Sequence, residues 1–102
     1  MARVLTAVRV SVGAEQTDEW LATLAILAVT LAARGQRVWV FRRDDVVGEW
    51  LEFTEGTDEA SHRSRGPADA AEAALETTLR SLARYDDGTA AARWREVTLA
   101  EH

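Results

Sequence analysis

The stretch RVWVFRRDDVVGEWLEFTE, residues 37–55, decides how this chain folds. Two runs of alternating side chains, rich in β-branched and aromatic residues, lie on either side of the acidic pair Asp44–Asp45. A period of two is typical of β-strands and aspartate is favoured in turns, so the stretch predicts a β-hairpin. Its first strand carries aromatic residues such as Trp39 on one face and valines such as Val40 on the other. Because both faces are apolar, we expect each side of the sheet to be covered.

The sequence on either side of the hairpin predicts two more strands. Residues 2–12 alternate with β-branched side chains, and residues 93–99 alternate in the same way. Period two over such lengths indicates extended chain that pairs into the same sheet as the hairpin. One face of the first strand carries Val4, Thr6, Val8, Val10 and Val12.

A helix is predicted between the first strand and the hairpin. Apolar residues recur there at three- and four-residue spacing, with Thr17 as the N-cap, an end near Arg34, and Gly35 to terminate it. Ile26 and Val29 lie off the main apolar stripe. We therefore expect this helix to be buried on more than one side, through contact with a partner helix. The apolar run is shorter than the roughly 18 to 20 residues that a membrane span requires.

A second, amphipathic helix is predicted after the hairpin. Pro67 suits the first helical position, and acidic residues such as Asp69 suit the positive end of the helix dipole. Leucine and alanine then repeat at helical spacing. The segment Tyr85–Gly88 is predicted to end the helix and to lead into the last strand.

The order strand, helix, strand, strand, helix, strand predicts an α+β fold. Two split βαβ units give a ferredoxin-like domain, with a four-stranded antiparallel sheet and both helices on one face. We expect residues 1–102 to form one such domain. The uncovered sheet face would be too apolar to leave in water, so we expect a homodimer in which the two sheets pack face to face.

In this element order the chain resembles the dimeric α+β barrel superfamily, which includes antibiotic-biosynthesis-type monooxygenases. The resemblance rests on EWLEFTEGTDEASHRS, where a strand ends in an acidic residue and a loop with a histidine precedes the second helix. Trp50, Glu55 and His62 match that pattern. The resemblance implies dimerisation through the sheets and oxygenation of a small molecule. Haem-degrading and several quinone-forming members combine asparagine with tryptophan and histidine, whereas this chain has no asparagine.

His62 is the first candidate catalytic residue. A histidine in a polar loop can act as a general base or as a single metal or haem ligand, because its pKa lies near neutrality. The alternative is a solvated side chain with no chemical role. The neighbouring Arg63 and Arg65 suit either an anionic substrate group or salt bridges to nearby carboxylates.

Trp50, Arg42 and Glu52 are the other candidate catalytic residues. If Arg42 and Glu52 point into the barrel, they can polarise or deprotonate a phenolic substrate; otherwise they form a cross-strand ion pair. Trp50 and the other three tryptophans can stack on a planar ligand or serve as core and interface residues.

Composition excludes several kinds of chemistry. Without cysteine or lysine the chain has no thiolate nucleophile, no cysteine metal site and no Schiff-base lysine. A net charge of -5 disfavours a nucleic-acid partner. No leader-like segment is recognised, so a cytoplasmic location is expected and a membrane partner is not.

Two functions remain open from the sequence. The first is a homodimer that binds a hydrophobic or aromatic small molecule, in the manner of a monooxygenase that needs no metal or flavin cofactor. The second is a non-catalytic structural or regulatory dimer without a substrate pocket. Haem binding through His62 is a third possibility.

Overall fold

A computed structural model of the chain describes residues 3–56, 66–86 and 92–99. It contains two helices and an antiparallel sheet with the order β2-β3-β1-β4, with β5 also paired to β1. This is the predicted ferredoxin-like α+β arrangement. The elements are β1 (Val4–Val12), α1 (Thr17–Ala32), β2 (Arg37–Arg42), β3 (Glu49–Gly56), α2 (Ala70–Leu82), β4 (Ala83–Tyr85) and β5 (Trp94–Arg95).

The inner face of the sheet packs against both described helices. On β1 the alternate residues from Val4 to Val12 are buried, as the period of two predicts. They meet the apolar stripe of α1 and a leucine of α2, which together form one core. The buried hydrophobic members of that core are Val8, Val10, Val12, Trp20, Leu24, Leu27, Leu31, Leu79 and Tyr85.

The hairpin is confirmed, with a turn between Arg42 and Glu49. Its backbone closes where the amide of Arg43 donates to the carbonyl oxygen of Glu49 over 2.9 Å. Gly48 has a φ of 85° and lies against Val12, where a Cβ would come within 2.8 Å of the carbonyl oxygen. Glycine is therefore required here both by its backbone conformation and by the close approach of β1.

Helix α1 differs from its prediction at its start and on its outer flank. Thr17 is the first helical residue rather than the N-cap, and its hydroxyl donates to the carbonyl oxygen of Gly13 over 2.9 Å. Gly35 adopts the predicted left-handed conformation, with a φ of 77°. Ile26 and Val29 are 57% and 74% exposed, so no described part of the chain gives this helix the expected burial on a second side.

Helix α2 begins at Ala70 rather than at Pro67, because Asp69 is its N-cap. The Asp69 carboxylate accepts a hydrogen bond of 2.8 Å from the amide of Glu72. That bond satisfies one of the unpaired amides of the first turn, so it determines where the helix starts. Within the described part of the chain, neither helix is long and apolar enough to cross a bilayer.

The chain after α2 departs most from the prediction. The helix ends at Leu82 and β4 follows at once, so Tyr85 lies in a strand and not in a turn. Tyr85 pairs with Val10, which directs its side chain towards the core. The predicted last strand over residues 93–99 is reduced to Trp94–Arg95, which pairs with the other end of β1.

The outer face of the sheet is aromatic. The rings of Trp39 and Phe53 stack with centroids 5.9 Å apart, and Phe41 meets Phe53 edge-on at 5.5 Å. Leu51 on β3 and Trp94 on β5 lie on the same face. In the single chain these side chains are half-buried or exposed, as predicted for a face that needs a second layer.

Candidate functional site

Glu52 is a carboxylate inside the core. It lies on the inner face of β3, between Val8 of β1 and Val40 of β2, and it is 2% exposed. Acidic side chains are rarely buried to this extent without a partner, since burial removes their hydration. The position therefore needs an explanation beyond packing.

A chain of hydrogen bonds leads to this carboxylate. The hydroxyl of Tyr85 donates to Oε1 of Glu52 over 3.2 Å, and the indole N–H of Trp20 donates to the Tyr85 hydroxyl oxygen over 3.1 Å. Because an indole nitrogen can only donate, the tyrosine proton is directed towards Glu52. We refer to these three residues as the buried relay. The buried relay connects α1, β4 and β3. Its hydrogen bonds all run in one direction, from the indole to the phenol and from the phenol to the carboxylate.

Trp50 supplies an unused donor next to the buried relay. Its ring lies 5.3 Å from that of Trp20, centroid to centroid, at an interplanar angle of 56°. Its Nε1 is buried, and no acceptor in the described part of the chain reaches it. Buried polar atoms are usually hydrogen-bonded, so this indole N–H is an unsatisfied donor beside the buried relay.

Tyr85 also borders a surface groove. The groove measures about 400 Å³ and its wall includes Ser11, Arg80 and Tyr85. The Arg80 guanidinium lies 5.1 Å from the centre of the Tyr85 ring, within the range of a cation–π contact. The tyrosine therefore has one side in the core and one beneath an arginine at the surface.

The predicted site residues fall in different places. Trp50 and Glu52 are on the inner face of β3, close to the helices. Arg42 is exposed at the end of β2 opposite Trp50, and Val40 is the residue directly opposite Glu52. Arg42 and Glu52 therefore lie on the same face of the sheet, but they are not directly opposite each other, because Arg42 is two residues along β2 from Val40. His62 lies outside the described residues.

Sequence reasoning missed the role of Tyr85. Its strand is only three residues long and directly follows a helix, so neither alternation nor a turn residue marks it. Trp20 was predicted to be a core or ligand-stacking residue, and it is fully buried in the core. The one available signal for Tyr85 was an aromatic residue three positions after Leu82, the last apolar residue of the helix.

Ion pairs frame the aromatic outer face at both ends. At one end Arg3 binds Glu96 at 2.7 Å and Glu55 at 3.2 Å. At the other, Glu49 bridges Arg43 and Arg9. The hydrogen bond from Arg43 is the main cause that lowers the pKa of Glu49, and Arg3 lowers the pKa of Glu96 in the same way.

The buried relay provides groups for proton transfer. Among residues 3–56, 66–86 and 92–99, no three histidine, cysteine or acidic side chains are grouped so that they could hold a metal ion. The buried relay instead offers a proton acceptor and a proton donor beside two indole rings. Such a set can bind a planar molecule and exchange a proton with it.

Comparison with known proteins identifies the fold. No protein-family model matches the chain, and no curated protein sequence is significantly similar. A crystal structure of a mutant of SnoaB, a cofactor-independent oxygenase from Streptomyces nogalater, matches with a TM-score of 0.72 over 95% of this chain and 93% of that chain. This chain has the fold of SnoaB. A second SnoaB structure gives a TM-score of 0.70 over 96% and 94% of the two chains, again at 19% identity.

At that identity the match concerns the fold. It confirms the predicted ferredoxin-like α+β architecture, and at the level of fold it agrees with the resemblance to antibiotic-biosynthesis-type monooxygenases. Folds of this kind support many activities, so the reaction must be argued from this chain's own residues.

Proposed function

We propose that the protein is a homodimeric enzyme that binds an electron-rich aromatic molecule and oxygenates it with O₂, without a metal or flavin of its own. The observation that carries the proposal is the buried relay, which presents Glu52 and Tyr85 beside the unused indole N–H of Trp50. The fold match adds support, since SnoaB is described as a cofactor-independent oxygenase.

The reaction begins with removal of a proton from the substrate. A carbon or phenol proton on an electron-rich ring system is transferred to a base, and the resulting anion passes electrons to O₂. In the balanced reaction a hydroquinone and one O₂ molecule give a hydroxyquinone and one water molecule: the substrate loses two hydrogens and gains one oxygen atom, and the second oxygen atom leaves as water. The substrate supplies all the electrons, so no external reductant is needed.

The residues of the site have separate roles in this scheme. Glu52 accepts the proton, directly or through Tyr85, because a positioned carboxylate in a dry site is a competent general base. The Trp50 N–H donates to a substrate oxygen and stabilises the charge that develops there. His62 retains its predicted role as a second general base, and Arg42 lies at the exposed end of β2, opposite Trp50.

The outer face of the sheet is the proposed dimer interface. Its centre is the stacked pair Trp39 and Phe53, and its two ends carry the ion pairs of Glu49 and Glu96. Covering several hundred Å² of apolar surface is worth on the order of 10 kcal/mol before the costs of association. An aromatic small-molecule partner and a cytoplasmic location belong to the same proposal.

Oxygen uptake tests the catalytic part of the proposal. The purified protein is expected to consume O₂ with a polyphenol or hydroquinone substrate, and Glu52→Gln is expected to lower kcat by about a hundredfold, the contribution typical of a general base. Tyr85→Phe and His62→Ala test the other two proton-transfer groups. Glu15→Gln, a matched change in an exposed loop, should leave turnover unchanged.

A folded Glu52→Gln protein with unchanged turnover would remove the buried relay from the mechanism. Unchanged turnover for His62→Ala would remove His62 alone.

A non-catalytic structural or regulatory dimer is the second candidate. It is favoured by the fact that Trp20, Tyr85 and Glu52 satisfy one another, as a purely structural core network would. Lack of O₂ uptake across a panel of phenols, together with a stable dimer, would support it.

A further inference from the structure

An aromatic path leads from Trp50 through the core to the surface of the protein. The ring of Trp50 lies 5.3 Å from that of Trp20, centroid to centroid, and the indole N–H of Trp20 donates over 3.1 Å to the hydroxyl oxygen of Tyr85. Tyr85 in turn borders the surface groove that Arg80 lines. The contact between the two tryptophan rings has no part in the transfer of a proton to Glu52.

The three aromatic groups of this path are the kinds of side chain that lose an electron readily. The chain has no cysteine, and the π-systems of tryptophan and tyrosine stabilise the state that remains after one electron has left. Rings that touch, or that are joined by a hydrogen bond, pass electrons to one another in short steps. Trp20 is fully buried, so an electron that moves from Tyr85 to Trp50 travels through the protein and not through water.

The surroundings of Tyr85 suit its oxidation to a neutral radical. A phenol that loses an electron becomes a strong acid, so its proton must leave at the same time. Oε1 of Glu52 lies 3.2 Å from the Tyr85 hydroxyl and accepts its hydrogen bond, so a proton acceptor is already in place. The guanidinium of Arg80 lies 5.1 Å from the centre of the ring and disfavours a second positive charge there, so the electron leaves only together with the proton.

We propose that Tyr85 is a redox-active tyrosine, which supplies one electron through Trp20 to an oxidising radical at Trp50. The oxidant is an organic peroxyl radical, a by-product of reactions between O₂ and organic molecules. It gains the electron and becomes a peroxide anion, while Tyr85 becomes a neutral phenoxyl radical and its proton moves to Glu52. A soluble reductant such as ascorbate then gives one electron to Tyr85 at the groove, and the proton returns from Glu52. The path removes oxidising radicals from the core, a role beyond oxygenation of a substrate.

A photo-oxidant fixed beside Trp50 tests the proposal. Because the chain has no cysteine, Arg42→Cys, at the exposed end of β2 opposite Trp50, provides a single attachment point for a ruthenium polypyridyl complex. A laser flash in the presence of an electron acceptor converts the complex into a one-electron oxidant. The labelled protein is expected to form a tyrosyl radical, detected by its optical absorption and by electron paramagnetic resonance. Tyr85 is the only tyrosine in the chain, so the signal has one source.

Further changes in the labelled protein test each step of the path. Trp20→Phe keeps a ring in the core but removes one that is easily oxidised, so most of the signal should be lost. Trp94→Phe is the matched control at a tryptophan that is 61% exposed on β5, and it should leave the signal unchanged. Glu52→Gln retains a hydrogen-bond acceptor that takes up no proton, so it should slow formation of the radical. Heavy water should slow the reaction of the labelled protein in the same way.

Two measurements separate the result from folding and from turnover. Tyr85→Phe should abolish the signal, and circular dichroism shows whether that variant is folded. Biosynthetic replacement of the single tyrosine by a ring-fluorinated tyrosine leaves the hydroxyl in place, and it should split the resonance spectrum through the fluorine nucleus. No phenolic substrate is present, so the outcome does not depend on whether the protein oxygenates one.

The proposal is overturned if the flash oxidises the complex and no tyrosyl radical follows. It is also overturned if Trp20→Phe forms the radical as fast and as fully as the labelled protein does, because the electron then bypasses the tryptophans. An unchanged rate in Glu52→Gln, with no effect of heavy water, would show that the proton of Tyr85 does not move to the carboxylate and would contradict the proposed step.

Discussion

The Tyr85 hydroxyl lies 3.2 Å from Oε1 of Glu52, in a core where both side chains are buried. The two residues come from strands on opposite sides of β1, and the tyrosine also accepts the indole N–H of Trp20. A single hydroxyl group therefore satisfies one buried donor and supplies one donor to a buried carboxylate. Such an arrangement makes the stability of the core sensitive to one atom.

Tyr85→Phe is predicted to lower the free energy of unfolding by about 1–3 kcal/mol, because it leaves the Trp20 N–H without its acceptor and Glu52 with one donor fewer. Urea denaturation measures the change, with an unaltered m-value as the sign that folding remains two-state. A double-mutant cycle with Glu52→Gln should show coupling between the two positions. Additive effects would mean that the hydrogen bond contributes nothing of its own.

Phe53→Glu is predicted to convert the proposed dimer into a monomer, since Phe53 contacts both Trp39 and Phe41 at the centre of the outer face. Light scattering at micromolar concentration measures the mass. Val29→Glu makes a similar change on α1, at a side chain that is already exposed. If Val29→Glu dissociates the dimer and Phe53→Glu does not, then the contact runs through the helices.

Arg34→Gln is predicted to destabilise the protein by about 2 kcal/mol, because it removes a charge-assisted partner from a buried carboxylate. Arg34 binds Glu72, which is 3% exposed, and also Asp69, at 2.6 Å. Thermal denaturation is the measurement, with Arg84→Gln at an exposed position as the control. Equal effects of the two changes would show that the ion pairs of Arg34 with α2 contribute no more to stability than an exposed arginine does.

Gly48→Ala is predicted to cost about 1–3 kcal/mol, from the left-handed backbone and from contact with β1. Its Cβ would lie 2.8 Å from the Val12 carbonyl oxygen. Gly66 is the matched control, with a φ of 94° and nothing within 4 Å of an added Cβ. Gly66→Ala therefore reports backbone strain alone. In urea denaturation, Gly48→Ala should lower the free energy of unfolding more than Gly66→Ala does. Equal decreases would show that the contact with the Val12 carbonyl oxygen does not contribute.

Stability is predicted to decrease as the solution is acidified below about pH 4. Hydrogen bonds from Arg43 lower the pKa values of Asp45 and Glu49 from their ordinary values of 3.8 and 4.5. A group whose pKa is lower in the folded state stabilises the fold above its unfolded pKa, and this contribution is lost as pH falls through the folded value. Urea midpoints measured from pH 6 to pH 2 should show the loss. In Glu49→Gln the decrease should be shallower, and an identical profile would contradict the assignment.

Most of the fold follows from short-range patterns. Alternation placed the buried face of β1 and both strands of the hairpin, and helical spacing placed the stripe of α1 that contains Trp20. These patterns work because a strand or helix with one buried face must repeat at its own period. The start of α2 was missed because the side chain of Asp69, two residues after Pro67, caps the helix, which therefore begins at Ala70.

The candidate site was only partly predictable. Alternation put Trp50 and Glu52 on one strand face, but it could not show that Tyr85 lies two strands away and points at the same place. That contact depends on long-range pairing and on a strand too short to have a period. The position of Arg42 at an exposed strand end likewise depends on where the hairpin turns.

Helix α2 passes into β4 without any intervening residue, and the amide of Ala83 still bonds back to Leu79. The length of the helix therefore determines which face of the sheet the side chain of Tyr85 points to. One residue added between Asp69 and Leu82 would turn the phenol away from Glu52 and send Arg84 into the core. Proteins that share this chemistry should therefore conserve the spacing from the helix cap to the tyrosine more strictly than the residues between them.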